Sequence, residues 1–445
     1  MSIAGSRGLV KEHWQQQMMS WLEEETAALY DTLVARAGDF GEQEKAVREW
    51  VLAVGARALE RFYEVHGRRG HSGPGRVCEC GPSGRLQFKD YRRRVVVTLV
   101  GELHLVRAYY HCRCCGRGWV PLDEQIGLEG HGFSPGVRRL TSHLGGEVVF
   151  ERVARFLAEV GVAVSAKEAE RRTEETGRRF EARHQGRMEQ VLSDPWPRAS
   201  ARRAPERLYL QVDGTTVHTL TGWREVKLGA MFQAPRLPGD AGRQRRRTTY
   251  CGAIEPAEAF GRRLFAAAVE RGALAAGEVV FMGDGAPWLW NLAAEHFPQR
   301  VEILDWYHAS QHLWELGTVL YGEGTARCRR WVESRLQELG EGEVEAVLRA
   351  FGRLRPRSEE GGEKVRREKA YFATNRERMC YGEFRRRGYF VGSGVVESGC
   401  KQAVGHRLKQ AGMRWRAENA TAVLQVHLAN LNGDFDTLWA ESRAA

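Results

Sequence analysis

The spacing of apolar positions changes several times along the chain, and each change predicts a new element. Residues 9–66 carry apolar side chains three and four apart, among them Trp14, Met18, Trp21 and Leu22, with a break at 38–41. That spacing predicts two amphipathic helices offering a packing or oligomerisation surface. Between 71 and 128 the period drops to two, and residues 91–100 and 103–111 read as strands joined in a hairpin at Gly101 and Glu102. From Ser134 to about Leu192 helical spacing returns through Val137, Leu140 and Leu144, then 149–157. Ser165 is placed to cap a long charged helix carrying Lys167, Arg171, Arg172, Arg178 and Arg179, a helix-turn-helix-like layout that any helical bundle with a charged face also shares. Residues 193–205 read as a linker.

After the linker, strands are expected at 207–217, 223–232 and 248–254, a helix at 256–271, a strand at 278–282, a Trp-rich helix at 287–296 and a strand at 301–304. Residues 306–388 lack strand signals and place Trp306, Leu313, Trp314 and Leu316 at helical spacing, which predicts a helical insertion. Three strands in succession, followed by alternating strand and helix, specify a mixed sheet with helices on its faces, in the ribonuclease-H-like order. The fold class expected is therefore multidomain α+β. Its parts are a helical region (1–70), a zinc-ribbon-like hairpin (71–128), a helix-turn-helix-like DNA-binding region with linker (129–200), the first part of a ribonuclease-H-like core (201–305), a helical insertion (306–388) and the rest of that core (389–445).

Composition narrows the partners. At 445 residues the chain exceeds what one core supports. No apolar run approaches the roughly 20 residues of a membrane span, so no membrane partner is expected. The start is polar and Glu-rich rather than a secretion signal, which predicts a cytoplasmic, nucleoid-associated protein. Lys plus Arg number 67 against 57 for Asp plus Glu, a formal charge of +10 that favours a polyanion. The nine cysteines are unevenly clustered, with Cys78 and Cys80 before the hairpin and Cys112, Cys114 and Cys115 after it. Two thiol pairs brought together by a hairpin are what a structural Zn²⁺ needs. The Cys78-Glu-Cys80 pair is tighter than the usual spacing, so His71 or Cys114 is an alternative fourth ligand, and a set of free thiols is the plain alternative.

Three acids stand out. Asp213 interrupts the core-type strand 208–217, although Asp-Gly is also a hairpin signal. Asp284 follows an apolar strand directly, where a Gly-Asp-Gly turn is the alternative, and Glu397 opens a helix after a Gly-rich loop, where an ordinary first-turn Glu is the alternative. On a ribonuclease-H-like sheet the three converge. Their oxygens suit two Mg²⁺ or Mn²⁺ ions, the arrangement that promotes in-line phosphodiester displacement.

The blocks around these acids are Val212-Asp213-Gly-Thr, Gly283-Asp284-Gly-Ala, Asp305-Trp-Tyr-His308, Val-Val-Glu397-Ser-Gly-Cys-Lys and Gly-Met-Arg-Trp415. With Tyr109-Tyr-His-Cys112-Arg-Cys-Cys115-Gly and Pro121-Leu-Asp123, they resemble the DDE insertion-sequence transposases of the ISKra type, relatives of the Mutator superfamily. The resemblance spans about 76–431. It implies a catalytic triad at Asp213, Asp284 and Glu397, supported by Asp305 and His308, and double-stranded DNA, both terminal inverted repeats and target, as partner. Cleavage with 3′-hydroxyl strand transfer is the implied activity, and a homodimer or higher oligomer on DNA is expected. Asp305 as a simple helix cap is the alternative to a supporting role.

Residues 385–416 hold eight basic residues against one acid, Glu397. DNA contacts are expected at Lys401, Arg407, Lys409, Arg414, Trp415 and Arg416, with Trp415 stacking on an unpaired base or, alternatively, lying in the core. Two rivals complete the expectations. One is a transposase-derived DNA-binding protein without catalysis. The other is a glycosidase using two of the acids.

Overall fold

The computed structural model describes residues 3–65, 67–81, 83–128, 130–194, 204–233 and 248–444. Residues 195–203, most of the expected linker, lie outside the described residues. The chain forms two compact units, residues 1–144 with 149–172, and residues 145–148 with 173–445.

In the first unit the helices Ile3–Ala35 and Phe40–Val65 pack on each other. A four-stranded antiparallel sheet follows, β1 (Arg76–Val77), β2 (Arg85–Thr98), β3 (Gly101–Cys112) and β4 (Gly118–Trp119), ordered as numbered. The hairpin turn lies at Leu99 and Val100, not at Gly101 and Glu102, because Thr98 pairs with Gly101 and its hydroxyl accepts from the Val100 N–H at 3.2 Å. Cys78, Leu86, Ala108, Tyr110 and Cys112 form one small core, while Val96, Leu103, Leu105 and Leu128 form another at the turn end. Asp123 is buried in an ion pair with Arg94 at 2.8 Å and with Arg107.

Helices Pro135–Glu147, Phe150–Glu159 and Ala166–Ser193 come next. The last holds seven basic residues against six acidic ones. Lys167, Arg171, Arg172, Arg178 and Arg179 each pair with a glutamate one turn away. Five of its seven basic residues are thus paired along the helix itself, while Arg183 and Arg187 pair with Glu441.

The second unit is built on a five-stranded sheet, β5 (Arg207–Thr219), β6 (Gly222–Gln233), β7 (Thr249–Ala253), β8 (Glu278–Gly283) and β9 (Arg300–Leu304), in the order β7-β6-β5-β8-β9. β5, β6 and β7 are antiparallel neighbours, whereas β5, β8 and β9 are parallel. The parallel strands are joined through the helices Ala257–Glu270 and Pro287–His296. Leu208 through Val212 are all buried, as a central strand covered on both faces requires.

The segment expected as an insertion is helical: Trp306–Tyr321, Ala326–Glu341, Val344–Gly352, Glu359–Thr374 and Tyr381–Arg386. Its Leu313, Val332, Phe351 and Phe372 join the sheet's own core. A short helix, Gly394–Gly399, a π-helical turn, Cys400–Gly405, and the helices Ala417–Asn432 and Phe435–Ala444 end the chain. Among the described residues no helix is long and apolar enough to cross a membrane.

Candidate active site and cysteine cluster

The parallel strands set the acids level. Gln211 on β5 pairs with Met282 on β8, so two residues on, Asp213 within β5 and Asp284 just past the end of β8 come level, and the Asp284 charge acts on Asp213. Gly283 on β8 pairs with Leu304 on β9, so the next residues, Asp284 and Asp305, are also level. Asp213 within β5, and Asp284 and Asp305 directly after the last residues of β8 and β9, therefore gather at the carboxyl edge of the parallel pairing, where open sheets gather ligands. Asp213 and Gly214 make no turn. They lie inside a 13-residue strand that turns only at Leu220 and Thr221.

Glu397 reaches the same edge from the helix Gly394–Gly399. Gln211, fully buried, holds that segment: its Nε2 donates to the Gly392 carbonyl at 3.1 Å and its Oε1 accepts from the Val396 N–H at 3.1 Å. Ser393 ties the loop to the third acid, since its N–H donates to Asp305 Oδ1 at 2.6 Å and its hydroxyl donates to Glu397 Oε1 at 2.6 Å. Asp305 Oδ2 accepts from the His308 N–H at 2.9 Å. Asp305 is thus both a helix cap and a strut for the Glu397 loop, and it is 0% exposed.

Electrostatics connects the same residues. Burial raises Asp213 above its ordinary value and the charge of Asp284 adds to this, while the Cys400 thiol, the Gly214 N–H at 2.7 Å and His308 oppose it. Burial likewise raises Asp305, against the His308 and Ser393 N–H groups. Cys400 on the π-helical turn is itself pushed up by burial and by Asp213. Asp284 is fastened by its own backbone. Its carbonyl accepts from the Tyr371 hydroxyl at 2.7 Å and its Oδ1 accepts from the Ala286 N–H at 2.9 Å. Among the described residues only one group of three or more His, Cys, Asp or Glu side chains has all its ligand atoms within 4.8 Å of one another, and that group is cysteines. Asp213, Asp284 and Glu397 share an edge with wider spacing, Glu397 being held toward Ser393.

The basic segment divides by burial. Lys401, Lys409, Arg414 and Arg416 are exposed, and Lys409 Nζ donates to the Thr215 hydroxyl, two residues past Asp213. Arg407 is 0% exposed, donates to the Gly145 carbonyl at 2.8 Å and lies 5.5 Å from the Trp415 ring. Trp415 is 8% exposed, with its Nε1 donating to the Leu408 carbonyl at 3.0 Å. Both were expected to meet DNA. Instead they pack this segment onto its own unit, because one helical turn and one strand-like bridge to Thr219 turn them inward.

Sequence reasoning missed Gln211, Ser393 and Tyr371. Gln211 left a signal, a polar side chain two places before Asp213 in an otherwise apolar strand. Tyr371 left none, since its partner lies far away in the chain.

In the first unit Cys78, Cys80, Cys112 and Cys115 converge. Cys78 Sγ is 3.6 Å from Cys115 Sγ, and Cys80 Sγ is 3.8 Å from Cys112 Sγ. The tight Cys78-x-Cys80 spacing is accommodated by a turn at Gly81 (φ 138°) and by Gly84, where a Cβ would lie 2.3 Å from Cys80 Sγ. The N–H groups of Cys115 and Cys114 hold the Cys112 thiol down at about 6, favouring the thiolate that a metal takes. The quartet can hold a metal ion such as zinc. Cys114 is exposed and outside it, and His71 instead packs on Phe88 at 5.1 Å.

A scan of the chain against protein-family models finds no match, and a search of curated proteins finds none either.

Proposed function

We propose that the protein is a DDE-type DNA transposase, cutting the ends of its element and joining the freed 3′-hydroxyls to target DNA. One observation carries this reading: the Gln211–Met282 register of the parallel strands β5 and β8 sets Asp213 level with Asp284, while Gln211, two residues before Asp213, fastens the segment that bears Glu397. The strand order β7-β6-β5-β8-β9, with the first three strands antiparallel and the last two parallel to the centre, supports a ribonuclease-H-like core.

The acids suit a divalent cation. Their donor set is all oxygen, and Asp213 is raised by burial and by its like-charged neighbour, a cost that a cation would offset. Asp213, Asp284 and Glu397 would hold Mg²⁺ or Mn²⁺, which when bound activates a water or 3′-hydroxyl and stabilises the leaving oxygen. The chain's own residues do the rest. Ser393 and Gln211 orient Glu397, Asp305 fixes the loop, and His308 sets a polar group beside Asp213 and Asp305. Lys409, Lys401, Arg414 and Arg416 offer exposed charge to DNA phosphates. In this reading the metal-binding hairpin assists recognition of the terminal repeats, and two or more copies act together on DNA.

The test uses the DNA flanking the protein's own reading frame as substrate in Mg²⁺ or Mn²⁺. Wild type is expected to nick and join it, and Asp213→Asn or Glu397→Gln to lose about a thousandfold or more of that activity. Undiminished strand transfer by either variant removes the proposal. A DNA-binding descendant without catalysis is the second reading, favoured by the wider spacing of the carboxylates. Specific repeat binding by wild type with no metal-dependent cleavage would establish it.

A further inference from the structure

The β5–β6 hairpin runs well past the acids. β5 pairs with β8 only as far as Gln211, yet its pairing with β6 continues to Thr219 opposite Gly222. Six residues beyond Asp213, at about 3.3 Å each, carry the tip roughly 20 Å past the acidic edge.

One face of this overhang is covered. Val217 and Thr219 are buried, and Trp415 is bridged alongside Thr219: the Leu220 N–H donates to the Trp415 carbonyl at 2.9 Å and the Trp415 N–H donates to the His218 carbonyl at 3.1 Å. Alternation turns the intervening residues to the other face, which is open. His218 and Trp223 stand opposite each other there, with ring centroids 4.9 Å apart and planes at 23°. Trp223 is 67% exposed. Because Trp415 shares the Thr219 side, its neighbours Arg414 and Arg416 fall level with His218 and Leu220 and turn outward, and both are exposed. The acid on this face, Glu225, is already paired with Lys227 at 2.6 Å.

A cross-strand ring pair explains the His218–Trp223 stack. It does not explain an indole left two-thirds open on the face toward which Arg414 and Arg416, across β5, also turn. A flat π surface next to spaced cations is the chemistry that takes an unpaired base on the ring and its flanking phosphates on the arginines. We infer that the open face of the β5–β6 hairpin binds an unpaired DNA strand, with a base on Trp223 and phosphates on Arg414 and Arg416. The choice of DNA rests on the proposed function, and the stacking role that the sequence suggested for Trp415 passes to Trp223.

The experiment measures fluorescence anisotropy of full-length protein in buffer without Mg²⁺ or Mn²⁺, against a labelled single-stranded DNA, a duplex with an unpaired 3′ tail, a blunt duplex of the same sequence and a single-stranded RNA. Trp223→Ala is expected to weaken the single-stranded and tailed DNA about tenfold, the order of one lost stack, and to leave the blunt duplex unchanged. Trp223→Phe should stay within about threefold of wild type, and thermal melts verify that both variants are folded. Arg414→Ala should lower the salt slope for tailed DNA by about one. Unchanged single-strand affinity in folded Trp223→Ala, or equal loss for the blunt duplex, overturns the inference and leaves the proposed function standing. Tighter binding of RNA than of DNA reassigns the face and overturns it too. Absence of binding to every DNA by wild type overturns both.

Discussion

The Tyr371 hydroxyl donates to the main-chain carbonyl of Asp284 at 2.7 Å, so the helical insertion grips the backbone of a candidate catalytic acid. Tyr371 is held in turn by His312, stacked on it at 4.0 Å, and the His312 Nδ1 lies 2.6 Å from the fully buried Glu368. The contact leaves no room for a side chain at Gly285, where φ is 97° and a Cβ would lie 2.7 Å from the Tyr371 oxygen.

Tyr371→Phe keeps the ring and removes only that hydrogen bond. The expected cost is about 0.5–1.5 kcal/mol of stability, with metal-dependent cleavage reduced about tenfold or more because Asp284 loses its tether. Denaturant melts and cleavage rates on the same preparation test this. A variant that loses stability and keeps its rate would show that the insertion only supports the fold.

Gln211→Leu removes both hydrogen bonds to the Glu397 segment while keeping similar volume. The buried Val396 N–H and the half-buried Gly392 carbonyl lose their partner, which should cost about 1–3 kcal/mol in urea unfolding. Activity should fall further than stability explains, since Glu397 is then no longer positioned.

Asp213 carries a pH signature. Its folded value is raised from 3.8 by burial first and by Asp284 second, with Cys400 opposing. As pH climbs through the window above 3.8, the unfolded chain releases its proton before the folded one, so folded stability falls and the penalty is complete above the raised value. Asp213→Asn has no such proton. In the absence of divalent cations its melting temperature should exceed that of wild type at about pH 7, with the gap closing toward about pH 4. A gap that stays constant across this range refutes the assignment.

The cysteine quartet should bind one metal ion per chain, read as zinc by elemental analysis of protein purified without chelator. Cys112→Ser should lose it and lower the melting temperature of the first unit. Cys114→Ser should retain the metal, because Cys114 lies outside the quartet.

Arg407 and Lys409 make opposite predictions from adjacent places. Arg407→Ala removes a buried side chain under Trp415 and should destabilise by about 2–4 kcal/mol. Lys409→Ala should leave the melting temperature within about 1 °C and lower the salt slope of DNA binding by about one.

Periodicity alone identified every strand of the five-stranded sheet to within about two residues at each end, because alternation of Leu208, Leu210 and Val212 type positions and the bounding glycines are local signals. It also marked the acids and the four cysteines that can hold a metal ion, since chemistry-bearing residues betray themselves by type and spacing. What it could not supply was pairing. That Asp213 lies level with Asp284, that Gln211 and Ser393 carry Glu397, and that Tyr371 steadies Asp284 all depend on strand register and on contacts across many tens of residues. Burial was equally out of reach. Arg407, Lys409, Arg414 and Trp415 look alike as a basic, aromatic run, and only the helix turn and the bridge to Thr219 decide that Arg407 and Trp415 face inward while Lys409 and Arg414 face solvent. A side chain's type is written locally, but its neighbours are chosen by the packing of distant segments, and for this protein that packing decides which residues can touch a ligand.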